Sequence, residues 1–293
     1  MSMDGKIVFI TGASSGVGLA AALLLAERGA EIVMVCRDPI RGNFMRKGVA
    51  EYASGRPPTL FIADLSSQEE IHVLADQIRS RFPHIDVLIN NAGAVFEHRE
   101  LTADAVEKTL AVNYLAPFLL SNLLLDLVQA APAGRIVNVA SQAHSGSIDF
   151  ANMQGELHYG FRTAYSRSKL CNILFTYELA RRVAGSPVTV NCLCPGATLT
   201  RFGENLTGLP FFLTWLAKRN PFSWAYPETG ARTSVYVASS PELVGITGQF
   251  FVRCREARTK PITYQNEIAM RLWNLSEALC GLVVSKELCR TES

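Results

Sequence analysis

The stretch KIVFITGASSGVGLAAALLLAERGAEIVMVC, residues 6–36, decides the fold. Ile7–Ile10 is a short apolar run of the kind that forms a buried strand. Gly16–Arg28 is rich in Ala and Leu, long enough for a helix, and closed by Gly29. Glu31–Cys36 then reads as a second strand. Between the first strand and the helix lies Thr11-Gly12-Ala13-Ser14-Ser15-Gly16-Val17-Gly18. Glycines at that junction allow a tight turn and a close backbone approach to a pyrophosphate, which the helix N-terminus attracts. The spacing departs from G-x-G-x-x-G, because three residues separate Gly12 from Gly16.

The same alternation continues down the chain. Strands are predicted at Leu60–Ala63, Val87–Asn90, Ile136–Ala140, Val188–Cys194 and Gln249–Val252. Helices are predicted at Gln68–Phe82, Ala103–Val128, Thr163–Val183, Glu228–Ala238 and Glu267–Leu279. Strands that are apolar almost throughout, separated by helix-length segments, imply a parallel sheet covered on both faces, a doubly wound α/β fold. With no internal repeat or low-complexity linker, one domain over residues 1–293 is expected. Its nucleotide-binding half would span about 5–130, its catalytic and substrate half about 131–284, and residues 285–293 would fray. Residues 201–226 break the pattern with the aromatic stretch GLPFFLTWLAKRNPFSWAY, read as a short helical insertion.

Charge and composition exclude several classes. With 28 Lys and Arg against 26 Asp and Glu, the net charge is +2, without the basic stripe of a nucleic-acid binder. The seven cysteines show no metal-ligand spacing and an odd number suits a reducing compartment, so a cytoplasmic setting is expected. Asp4 and Lys6 lead straight into the first strand, unlike a secretory leader. No run reaches the roughly 18 apolar residues of a spanning helix. Expected contact with a membrane is peripheral at most.

The second strand ends Cys36-Arg37-Asp38. A carboxylate there commonly binds the ribose 2′-hydroxyl of NAD, whereas an arginine suits the 2′-phosphate of NADP. Cys36 stands where the acid is expected and Arg37 follows, with Arg41 as a second cation, so NADP(H) is favoured over NAD(H). The alternatives are that Arg37 is a solvated turn residue and Asp38 the ribose acid.

These residues carry a resemblance. TGASSGVG at 11–18, Asp64-Leu65, Asn90-Asn91-Ala92-Gly93, Asn113, Ser141, Tyr165-x-x-x-Lys169 and Pro195-Gly196 occur in the order and spacing of the short-chain dehydrogenase/reductase family over residues 5–253. The block from Arg135 to Pro195 and the run Met270-Arg271-Leu272-Trp273 resemble the retinol dehydrogenase and retinal reductase group. The resemblance implies a Rossmann fold with a helical substrate-loop insertion. It implies Tyr165 as general acid/base, Lys169 beside it on the ribose hydroxyls, and Ser141 on the substrate oxygen. Asn113 would bind a water that joins Lys169 to solvent. Tyr165 and Lys169 are four apart, hence on one helical face, where an ammonium is expected to lower the phenol's pKa.

By the same resemblance Gly12, Ser14, Ser15, Gly16, Val17 and Gly18 would hold the pyrophosphate. Asp64 would bind the adenine amino group, with a Leu65 amide nearby. Asn90, Asn91, Ala92 and Gly93 would line the adenine ribose and support the sheet. Pro195, Gly196, Thr198 and Thr200 would run beneath the nicotinamide. His144 and His158 fall near the substrate mouth, where a polar-lining or surface role is favoured over catalysis, and no metal is expected. Phe211, Phe212, Trp215, Phe222 and Trp224 would line an apolar pocket, so the expected partner is an apolar aldehyde, ketone or alcohol, with retinal as one candidate. The same aromatics would equally serve internal packing or a homodimer contact. Two other readings stay open: a nucleotide-binding regulatory protein without turnover, and a protochlorophyllide-type reductase.

Overall fold

The computed structural model describes residues 2–144, 146–196 and 227–282. Thr198, Thr200, the aromatic stretch 202–226 and the tail 285–293 lie outside the described residues. Strands β1 (Ile7–Thr11), β2 (Glu31–Cys36), β3 (Thr59–Ile62), β4 (Val87–Asn90), β5 (Arg135–Val139), β6 (Thr189–Cys194), β7 (Phe250–Val252) and β8 (Arg255–Glu256) form one sheet in the order β3-β2-β1-β4-β5-β6-β7-β8. Every pairing is parallel except the β7–β8 hairpin. This is the doubly wound Rossmann arrangement.

The central strands are apolar throughout because helices cover both faces; every residue of β1 and of β6 is buried. Helix α1 (Gly16–Ala26), Val49 of α2 (Pro39–Tyr52) and α8 (Pro227–Ser239) build the core on one face. On the other, α3 (Gln68–Arg81), α5 (Ala116–Leu123) and α7 (Phe161–Arg182) pack with the last described helix, α9 (Asn266–Leu279). Trp273 anchors α9 edge-on to Phe118, with ring centroids 4.9 Å apart, and the Arg182 guanidinium lies 4.0 Å above the indole.

Two local readings need correction. The sequence periodicity missed α2, whose exposed surface hides the apolar pattern: only Gly42 and Val49 are buried. Its start is nevertheless written in Asp38-Pro39. The Asp38 carboxylate accepts the N–H groups of Ile40 (2.9 Å) and Arg41 (3.1 Å), and Pro39 occupies the first turn.

The expected single helix Ala103–Val128 is in fact four pieces. Helix α4 (Lys108–Leu110) starts only where Glu107 caps Thr109 and Leu110. A π-helical turn, Ala111–Leu115, follows, then α5, and α6 (Leu125–Gln129) after a break at Leu124. Pro117 accounts for part of this, since it has no N–H to give the carbonyl four residues earlier.

The sheet changes direction of winding between β1 and β4, which are hydrogen-bonded neighbours. There the Thr11 hydroxyl accepts the N–H groups of Asn91 (2.9 Å) and Ala92 (3.0 Å). The Asn91 side chain donates back to the Thr11 carbonyl at 2.8 Å. Thr11→Val keeps the shape and removes both acceptor contacts. It is expected to cost about 1–3 kcal/mol in urea unfolding, the range for leaving buried donors unpaired. A loss below about 0.5 kcal/mol would mean that the strand ends hold themselves.

Candidate active site

The carboxyl ends of β1, β4, β5 and β6 open into a cavity of about 670 Å³. Its wall contains Gly12, Ser14, Ser15, Gly16, Val17, Arg37, Asp64, Leu65, Asn91, Ala92, Gly93, Ser141, Tyr165, Lys169, Pro195 and Gly196. The structure therefore brings together most of the residues singled out above. Gly18 and Asn113 stand behind that wall.

Gly18 lies where nothing larger fits. A Cβ there would collide with the Asn91 amide and sit 2.6 Å from the Gly12 carbonyl oxygen. Gly12 adopts φ +67, and its own Cβ would press on Ala92 at 3.0 Å. Together they let the first turn of α1 approach the end of β4. Ser15 precedes α1 without capping it through its side chain, and the first turn holds no acidic residue. The first N–H groups of α1 thus have no side-chain cap, and Ser15, Gly16 and Val17 line the cavity, as an anion-binding helix start requires.

At the end of β2, Arg37 is exposed on the cavity rim, and Arg41 also lines it. Burial pushes the Cys36 thiol up to about 11, so at neutral pH this position carries no negative charge. Asp38 holds its cap through one carboxylate oxygen, Oδ1. Asp64 accepts the Ser66 N–H at 2.9 Å through one carboxylate oxygen, leaving the other for a ligand.

Ser141 follows β5; its hydroxyl accepts the Ala143 N–H at 3.0 Å and is hydrogen-bonded to the Tyr165 phenol. Ser166 fastens this turn to α7 through a 2.6 Å bond to the Ala143 carbonyl. One turn below Tyr165, buried Lys169 donates to the Val139 carbonyl at 2.8 Å, and its Nζ is 5.8 Å from the Tyr165 ring centre. The ammonium does not lower the phenol as expected. Desolvation dominates, raising Tyr165 to about 12 against the opposing bond from Ser141. Burial lowers Lys169 to about 8.

Asn113 lies in the π-helical turn, and its side chain is already paired. Its Oδ1 accepts the Ala94 N–H at 2.7 Å, and its Nδ2 donates to the Ala94 carbonyl (2.9 Å) and Ser168 Oγ (3.1 Å). Asn90 turns away into the core, donating to Ser121 (2.9 Å) and to Asn138 (2.8 Å). His144 is buried, 2.6 Å from the Ser141 carbonyl and edge-on to Phe250, whereas His158 is exposed; neither lines the cavity.

Sequence reasoning missed the supports. Cys194 Sγ accepts the N–H groups of Gln142 and Gly196, each at 3.3 Å, joining the ends of β5 and β6. Ser168, Thr11 and Asn172 are likewise polar residues in apolar or motif context. The one available signal was their helical spacing from Tyr165 or their place beside the glycine turn. Phe96, in the connection after β4, and Lys108, at the start of α4, also line the cavity, and neither belongs to a motif.

The sequence profile of the short chain dehydrogenase family matches residues 6–208. Human retinol dehydrogenase 14 is 39% identical to this chain, over 96% of this chain and 88% of that protein. Among solved structures, an uncharacterized protein from Mycobacterium paratuberculosis superposes with a TM-score of 0.77 at 30% identity, covering 96% of this chain and 95% of its own. The Pseudomonas aeruginosa RhlG/NADP active-site complex superposes with a TM-score of 0.68 at 25% identity, covering 85% and 95%. No described helix is long and apolar enough to cross a membrane. With its glycine turn, its Ser141–Tyr165–Lys169 cluster and relatives that include retinol dehydrogenases, the chain belongs to the short-chain dehydrogenase family.

Proposed function

We propose that the protein is an NADP(H)-dependent oxidoreductase that interconverts an apolar aldehyde or ketone, of retinoid type, with its alcohol. The observation that carries this reading is the meeting of Ser141, Tyr165 and Lys169 in the same cavity as the uncapped N-terminus of α1. The cavity fits a dinucleotide: a cradle closed to any Cβ at Gly18, free helical N–H groups, an available Asp64 oxygen and the Arg37 and Arg41 cations. The neutral Cys36 and the capping role of Asp38 favour the phosphorylated cofactor, as does similarity to a protein solved with NADP. The apolar substrate class is supported by the retinol dehydrogenase relatives and by the aromatic stretch 202–226.

Bound NADP(H) supplies or accepts the hydride. Lys169, held by the Val139 carbonyl, would hold the nicotinamide ribose hydroxyls. Ser141 orients the substrate oxygen as charge develops on it. Tyr165, kept protonated by its high pKa, gives that oxygen a proton when a carbonyl is reduced. For alcohol oxidation the phenol must first lose its proton, which the pKa of about 12 opposes. At neutral pH the site thus favours reduction.

Tyr165→Phe keeps the ring and removes the proton, so aldehyde reduction is expected to fall at least about 100-fold with NADPH binding retained. Near-normal turnover by this variant would take Tyr165 out of the reaction. The pH dependence carries a sign. Alcohol oxidation is expected to rise by about tenfold per pH unit from pH 7 toward 10, as the ionised fraction of the Tyr165 phenol grows below its pKa of about 12. Reduction should show no such rise, and a flat oxidation profile would contradict the role of the phenol. Arg37→Ala should weaken NADPH binding about tenfold, the low end for a charge-assisted bond at an exposed position, and leave NADH within twofold in fluorescence titrations. Equal loss of both cofactors would refute the phosphate assignment.

A further inference from the structure

We propose that Asn172 is a positioning residue of this active site: its side-chain amide replaces the helical donor that Pro117 withholds from the Asn113 carbonyl, and so holds the π-helical turn open and Asn113 in place. The geometry is direct. In an α-helix the Asn113 carbonyl would accept the N–H of residue 117, but that residue is proline. Asn172 Nδ2 donates to the Asn113 carbonyl at 2.8 Å instead. The turn runs in π register, with the Ala116 N–H bonded to the Ala111 carbonyl.

Keeping the turn open aims the Asn113 side chain outward, where it pairs with both backbone groups of Ala94. It also stands beside the cofactor wall. A Cβ on Gly93 would lie 3.4 Å from Asn113 Oδ1 and 3.6 Å from Lys169 Nζ, so Asn113, Gly93 and Lys169 meet at one point. Asn172 lies three residues beyond Lys169 and seven beyond Tyr165, on the same face of α7. One helix therefore delivers the proton donor, its lysine and the brace for the opposite wall.

The cost of this residue argues for its role. Asn172 is 2% exposed, and its Oδ1 has no hydrogen-bond partner among the described residues. A buried acceptor without a donor is destabilising, and leucine, of similar shape, would not incur it. Such a local conflict with stable packing is expected where a site needs the donor.

The inference rests on the proposed reaction for its kinetic readout but not for its first one, amide hydrogen exchange in the protein without cofactor. Asn172→Leu should raise exchange about tenfold in peptides covering residues 91–95 and 108–118, and lower kcat for aldehyde reduction about tenfold with substrate KM within twofold. Pro117→Ala restores a backbone donor and folds the turn toward α register. It should slow exchange over 108–118, raise Tm, and still lower kcat severalfold, because Asn113 is rotated off Ala94. A purely structural role would leave kcat intact in that stabilised variant. If Asn172→Leu fails to fold, Pro117→Ala decides alone. Exchange and kcat within twofold of wild type in either variant overturn the proposal. A wild-type protein that reduces no aldehyde refutes the reaction instead, while the exchange data still judge Asn172.

Discussion

Two N–H groups on one hydroxyl hold this molecule's site together. Thr11 takes both Asn91 and Ala92 at the point where the chain leaves β1 for α1 and where β4 ends beside it. Parallel strands that wind in opposite directions from such a point must diverge at their carboxyl ends, and the divergence is the cavity. Left alone, the diverging ends would carry unpaired backbone groups, since the sheet ladder stops there. Side chains therefore continue the ladder: Thr11 between β1 and β4, and Cys194 between β5 and β6. Each fixes the two edges of the cavity at a separation that glycines on the facing turns then exploit.

The same logic explains why so many polar groups are buried behind the site. Asn90 donates to Asn138, Asn138 to Thr176, and Thr176 back to the Asn172 carbonyl, each bond between 2.7 and 2.9 Å. This chain of amides and a hydroxyl links β4 and β5, the strands that lead into Asn91 and Ser141, to α7, which carries Tyr165 near its start. An apolar core packs tightly but tolerates small slides between elements, whereas buried hydrogen bonds of fixed geometry favour one register. That register sets the approach of Ser141 to Tyr165, a contact between groups from different elements.

Much of this was legible in the sequence, and the limits are physical. Buried parallel strands announce themselves as apolar runs, so Glu31–Cys36 and Val87–Asn90 have the same bounds by sequence and by structure. The glycine turn was legible from its place between a strand and a helix, and Tyr165-x-x-x-Lys169 from the family resemblance that the other motifs carry with it. Helix α2 was hidden because most of its surface meets solvent, leaving periodicity nothing to report. The break in Ala103–Val128 was hidden because the apolar pattern continues across the π-helical turn, though Pro117 stood as a mark. The direction of the Tyr165 shift was misjudged for a different reason. Spacing gives the distance to a charge, but desolvation depends on everything packed around the phenol, which no local pattern encodes.

That misjudgement bears on how the site works. Burial holds the Tyr165 phenol near 12, protonated at the pH of a cell, and Lys169 near 8, still mostly protonated there. Burial drives both shifts in the direction that disfavours charge, so the cluster resists holding a phenolate and an ammonium side by side. Ser141 is hydrogen-bonded to that phenol, the group to which the proposed reaction gives the proton transfer. The Ser141–Tyr165 bond thus forms without any ligand, between sheet ends pinned at Thr11 and Cys194. The protonation state of the Tyr165–Lys169 pair thus follows from the packing of α7 against β5 and β6 as much as from the chemistry of one tyrosine.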